Sequence, residues 1–215
     1  MSTPPAGSQD GMVFYPTTLK WGRETYSRHP EPTSWCCHGH VPGLDPATYR
    51  RAVSVHEAGH TVIALHVGMH VKDVKIVERT RDLGCGPRLE LEGTMSPGDY
   101  ELAHSAVVKQ LAAGERAEQR WLRDYGLWTQ DRGWAAEMGA LHDRDAAIPR
   151  LRMFTGSDDL ATVLGAYVHF GDQAEEVLGQ HWPAVLAVAG ALDEEGELTG
   201  DQAATLAGLL NPPPA

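Results

Sequence analysis

One stretch constrains the fold of this chain more than any other. Asp45 followed by Pro46 supplies a helix cap and a pre-set first turn, and Val53, His56, His60, Ile63 and Val67 then hold one face over the turns that follow. The spacing predicts a helix with the run His56-Glu57-Ala58-Gly59-His60 at its middle. Residues four apart on a helix lie one above the other, so His56 and His60 can present two imidazole nitrogens to one ion, and Glu57 stands beside the place that ion would take. Two histidines at this spacing on a helix face can also be ordinary structural residues. The carboxylate between them and the capped helix around them favour the chelate.

The whole chain narrows what such a helix can belong to. With 215 residues and 42% hydrophobic composition it has the material for one domain with a real core. A net charge of -11, from 18 basic and 29 acidic residues without a basic run, leaves no footprint for nucleic acid or an anionic membrane surface. Met1 to Gly11 lacks the apolar core of a secretory signal, so export is not expected. The most apolar stretches, Val62 to Val71 and Ala184 to Leu192, fall far short of the ~20 residues that span a bilayer, which predicts a soluble protein without membrane insertion. Cys36, Cys37 and Cys85 cannot build a disulfide framework and suit a reducing, cytoplasmic setting.

Residues 1–43, rich in Pro, Gly, Ser and Thr and without a period, are expected to form an extended arm, either lying on the domain or mobile, and residues 44–211 the domain itself. After Gly68 the pattern turns from helical to alternating, with Val74 and Ile76 and later Leu89 and Leu91 set against Arg88, Glu90 and Glu92. Two strands around Gly84-Cys85-Gly86-Pro87 are predicted. Ser96-Pro97-Gly98-Asp99 reads as a capping box for a second long helix bearing Ala103, Val107, Gln110, Gly114, Ala117 and Trp121 on one face, where Gly114 lets another element come close. Asp124 to Phe154 has turns, aromatics and a short helical patch, and reads as an elaboration on the core. Thr155-Gly156-Ser157-Asp158 reads as the cap of a third helix, with two more over Gln173 to Leu192, kinked at Pro183, and Gly200 to Leu210. The fold class expected is mainly α, an α+β domain with a small sheet beside the histidine helix.

A hydrolytic zinc site takes three protein ligands and leaves a fourth position for water. His66, six residues past the motif, is a poor third ligand, because Ile63 stands where a helix-breaking glycine would have to turn the chain toward the ion. Glu118 on the second helix and Asp159 in the first turn of the third are better, and the residues alone leave these two level.

Four motifs in order then resemble the zinc peptidase domain of FtsH-type ATP-dependent proteases. They are Val55-His56-Glu57-Ala58-Gly59-His60, Ala113-Gly114-Glu115-Arg116-Ala117-Glu118, Thr155-Gly156-Ser157-Asp158-Asp159-Leu160, and Ala191-Leu192-Asp193-Glu194-Glu195-Gly196-Glu197-Leu198-Thr199-Gly200, between about Ala47 and Leu210. The resemblance implies a zincin-like domain that binds Zn2+ through His56, His60 and Asp159, with Glu118 close behind the metal. It also implies that Glu57 is the general base of a zinc metallopeptidase. The departures are that no GxxxxGK[ST] phosphate loop is present and that Asp158 stands where the family usually has Asn. The expected substrate is therefore a flexible or short peptide or an unfolded protein, cut without ATP, with no nucleic-acid partner and with oligomer formation left open. The rivals are a zinc enzyme of the same fold with a non-proteolytic reaction and a non-catalytic binding or regulatory module, against which Glu57 argues.

Two other features carry weaker signals. Cys36-Cys37-His38-Gly39-His40 packs four potential ligands into five residues, which points first to an ordinary loop and otherwise to a second metal site or an arm that blocks the zinc. The remaining histidines form no ligand set, and the alternating strand Arg88 to Glu92 is a half-buried edge of the kind that can also accept an extended peptide.

Overall fold

A computed structural model of the protein describes residues 14–18, 24–33, 43–82 and 87–215. Helix α1, Pro46–His66, is the element around which the others are arranged. Its start follows from Asp45, whose carboxylate accepts the N–H groups of Ala47 and Thr48 at 3.0 Å each, with Pro46 at the first helical position. From Ser54 to Leu65 every residue is buried, as befits a helix enclosed on all sides. Gly68, at φ +81°, reverses the chain into the sheet.

That sheet has the order β4-β3-β5, antiparallel throughout, with β3 Val71–Asp82, β4 Pro87–Pro97 and β5 Glu197–Thr199. Val74 lies opposite Met95 on one side and Leu198 on the other, and Ile76 lies opposite Gly93. Val74, Ile76, Leu91 and Leu198 turn inward onto Val55, Ala58 and Val62 of α1 and help form the main core. Helix α2, His104–Asp124, crosses the other side of α1. The two backbones come close because the contact is made of small residues: a Cβ on Gly59 would sit 2.6 Å from Ala117 Cβ and 2.8 Å from the Ala113 carbonyl. Helices α3 Gln130–Gly139 and α4 Leu141–Thr155 follow, then α5 Leu160–Gln180 against α2 and α4, α6 Trp182–Glu195 against α1, and α7 Gly200–Ala207. The result is a mainly helical α+β domain with a small sheet beside α1, and among the described residues no helix is long and apolar enough to cross a membrane.

Several boundaries differ from expectation. Ser96 and Pro97 finish β4, where the Ser96 hydroxyl donates to Asp73 Oδ1 at 2.9 Å; α2 begins only at His104, without a side-chain cap. Thr155 ends α4 rather than opening a helix: Gly156 takes φ +64°, and Asp159 is the cap of α5. Pro183 sits in the first turn of α6, where a proline needs no N–H partner, so it starts a helix instead of kinking one. The stretch from Asp124 to Phe154, expected to hold a short helical patch, carries two helices, α3 and most of α4. Part of the expected N-terminal arm is a hairpin, β1 Tyr15–Thr18 paired with β2 Glu24–Ser27, whose Thr17, Thr25 and Ser27 are buried. Cys36-Cys37-His38-Gly39-His40 and Cys85 lie outside the described residues.

Candidate metal centre

The histidines of α1 point toward α2 and α4 across a cleft of about 900 Å³. His60 Nδ1 lies 2.7 Å from the Gln110 carbonyl oxygen and His56 Nδ1 lies 3.1 Å from Glu118 Oε2. A carbonyl and a carboxylate can only accept, so both Nδ1 atoms carry the proton, and in the neutral rings the Nε2 lone pairs face the cleft. There they meet Asp143, whose Oδ2 is 3.4 Å from His56 Nε2 and 3.2 Å from His60 Nε2. One ligand atom from each of His56, His60 and Asp143 falls within 4.8 Å of the others.

This donor set fits a metal ion on its chemistry. Two imidazole lone pairs aimed at one carboxylate oxygen repel one another unless a cation stands among them, either a proton or a metal. The charges around the two rings agree with that demand. Burial drives the His56 pKa down, but hydrogen bonds to Asp143 and Glu118 and the Glu57 carboxylate outweigh it and hold it well above the ordinary imidazole range. Burial likewise opposes charge on His60, and Asp143 reverses the balance and raises it. Asp143 is held well below the usual carboxylate range: burial resists, and His60 and His56 prevail. Gly114 of α2 supplies the room, since a Cβ there would collide with the Nε2 atoms of both histidines.

Glu57 is buried in the same cleft, next to the strand that forms its upper wall. A Cβ on Gly93 of β4 would run into the Glu57 carboxylate, so glycine at that register is what lets the strand pass. Burial raises the Glu57 pKa above its ordinary value, and the nearby His60 and His56 only partly offset this. Tyr49 also lines the cleft, and its phenol is pushed up to about 12, by burial first and then by Glu118 and Glu90, so it stays protonated.

The structure brings together His56, Glu57, His60 and Glu118, and it places Asp159 elsewhere. The Asp159 carboxylate accepts from the N–H of Thr162 at 2.9 Å and from its hydroxyl at 2.7 Å, on the solvent side of α5, while Asp158 lies exposed 3.7 Å from Arg152. A side chain engaged as a helix cap is not available to an ion on another face. The carboxylate beside the histidines is that of Asp143, in the first turn of α4, within the stretch from which the sequence reading drew no site residue. One signal for it exists. Ala140, Arg144, Ala147 and Leu151 follow helical spacing and are all buried, so a charged residue falls on an otherwise apolar stripe, immediately after Asp143.

No protein-family model matches the chain, and no curated protein matches it.

Proposed function

We propose that this chain is a zinc-dependent peptidase acting on flexible or short peptides, with His56, His60 and Asp143 as metal ligands and Glu57 as general base. The observation that carries the reading is the convergence of two Nδ1-tethered imidazoles on one carboxylate, with a buried glutamate beside them in an open cleft. When bound, zinc supplies Lewis acidity at neutral pH, which is why such sites serve hydrolysis. Glu57, one residue along from His56, accepts a proton from the attacking water and returns it to the leaving amine, a task helped by a carboxyl pKa that burial raises above its ordinary value. Glu118 and the Gln110 carbonyl hold the rings in the tautomer that leaves Nε2 free. Strand β4 is the edge of its sheet among the described residues, and Leu91 to Met95 line the cleft, so an extended peptide can add its main chain there and pass Glu57.

The FtsH-like motifs support the same chemistry for the histidines and Glu57, with the third carboxylate drawn from α4 in place of the helix cap at Asp159. Cleavage is expected to need no ATP and to be confined to unstructured chains, because a stable domain exposes scissile backbone only in rare states about 5–15 kcal/mol above the native one. The test is zinc content by elemental analysis, paired with cleavage of one polypeptide offered as a stable domain and as an unfolded variant, with and without ATP. About one zinc per chain and ATP-independent cleavage of the unfolded form alone are expected, with Glu57→Gln keeping the zinc and losing about 10²–10⁴-fold in rate. A zinc-loaded protein that cuts neither form would replace peptidase with a non-proteolytic zinc enzyme, and one that needs ATP or cuts the stable domain as fast contradicts the substrate class.

A further inference from the structure

We propose that Arg144 is a positioning residue for the metal centre and that the N-terminal hairpin β1–β2 is the clamp through which it works. The proposal rests on reading His56, His60 and Asp143 as ligands, and adds what holds the third of them in place.

The Asp143 carboxylate has no partner outside the candidate centre among the described residues: its hydrogen bonds run to the two imidazoles. The helix that carries it starts at Leu141, and Ala140 before it offers no side-chain cap. Ala147 and Leu151 pack the helix itself against α2 and α5, but one and two turns further on, so the setting of its uncapped first turn needs a contact of its own.

The next residue supplies that contact. Arg144 is buried and turns away from the cleft: its Nη1 donates to the Tyr26 carbonyl at 2.8 Å and its Nη2 to the Thr25 hydroxyl at 2.6 Å, both in β2. The hairpin is in turn fixed to the two preceding helices. Glu137 of α3 accepts from the Ser27 hydroxyl at 2.6 Å, from the Arg28 backbone N–H at 2.8 Å and from Arg28 Nε at 2.6 Å. The same guanidinium pairs with Glu115 and donates to Gln119 Oε1 at 3.1 Å, both on α2. Glu115 adjoins Gly114, the residue against which the imidazoles rest. The hairpin therefore joins the helix behind the histidines to the turn that bears Asp143, by a chain of buried and part-buried hydrogen bonds.

This positioning is tested on the full chain with zinc affinity from competition with a chromogenic chelator, and with the visible spectrum of the Co2+-substituted protein. The variants are Arg144→Met, Arg144→Lys, Thr25→Val and Asp143→Ala. Arg144→Met is expected to weaken zinc about 10-fold, the effect typical of groups that orient ligands, and to shift the cobalt spectrum toward that of Asp143→Ala. Arg144→Lys, which can still reach an acceptor, recovers part of the loss. Thr25→Val keeps the shape of the side chain and removes one acceptor, so it carries the test if Arg144→Met does not fold, with a few-fold loss expected. If the Arg144 and Thr25 variants lower only the melting temperature, while zinc affinity and cobalt spectrum stay as in wild type and Asp143→Ala is weakened, this proposal is overturned and the ligand reading stands. A wild type that takes up no zinc overturns both.

Discussion

The two walls of the cleft are built on different principles. The wall of α1 and α2 is a contact of small residues, Gly59 against Ala113 and Ala117 and Gly114 against the imidazoles, in which apolar packing fixes the histidines to within the slack of a buried core. The wall of α4 presents Asp143, a quarter exposed, from an uncapped first turn steadied by hydrogen bonds to a hairpin about 118 residues earlier in the chain. One part of the site thus grows from a local motif packed tightly against its neighbour, and the other leans also on polar contacts to a distant hairpin. Damage to the first is expected to remove the site outright, and damage to the second to loosen it.

The largest effect is expected at the packed wall. On the proposed ligand set, His56→Ala or His60→Ala removes one of three ligands, and zinc affinity is expected to fall by about 100-fold or more, read by chelator competition. Retention of wild-type affinity by either variant would break the contrast at its stronger end. Two glycine substitutions separate packing from ligation within the same wall. Gly59→Ala pushes against the α2 backbone and should destabilise by about 1–3 kcal/mol in urea unfolding, whereas the methyl of Gly114→Ala meets the imidazoles and should weaken zinc out of proportion to any loss of stability. If Gly114→Ala lowers stability alone, the imidazoles are not seated as described.

The smallest effect concerns the hairpin clamp and pH. Burial pushes the Glu115 pKa up, but Arg28, then Arg116 and Arg144, pull it further down, below its ordinary value of 4.5. A depressed folded-state pKa contributes stability that is full above about pH 4.5 and is lost as pH falls through the folded value. Glu115→Gln should therefore be less stable than wild type at neutral pH, and the gap should close as the medium is acidified below that point. A gap that stays constant down to acid would mean that the pairing with Arg28 carries no charge contribution.

The packed wall was legible in the sequence because its information is local: a cap at Asp45, a period of helical spacing and a motif of five residues suffice to place His56, Glu57 and His60 on one buried helix. Glu118 was legible as a glutamate on the next helix and through the resemblance of Ala113-Gly114-Glu115-Arg116-Ala117-Glu118 to the second family motif, and the structure sets it against His56. Asp143 was not, because its place at the cleft depends on how α4 is docked, through Ala147 and Leu151 packed against α2 and α5 as well as through the bonds of Arg144 to the hairpin, and contacts so distant in the sequence leave no local pattern. The misplaced caps share a cause. Ser96 and Thr155 have the composition of helix starts, yet tertiary pairing claims Ser96 for the sheet and Gly156 makes Thr155 an end, and so the cap falls to Asp159, whose carboxylate faces Thr162 and not the histidines.

The most direct measurement is zinc affinity in Asp143→Ala beside Asp159→Ala, each against wild type by chelator competition. Asp143→Ala is expected to lose far more affinity than any other carboxylate variant of the chain, while Asp159→Ala binds zinc as wild type does and shows only a small drop in melting temperature from its lost helix cap. The reverse pattern, with zinc lost in Asp159→Ala and kept in Asp143→Ala, would contradict the metal centre described.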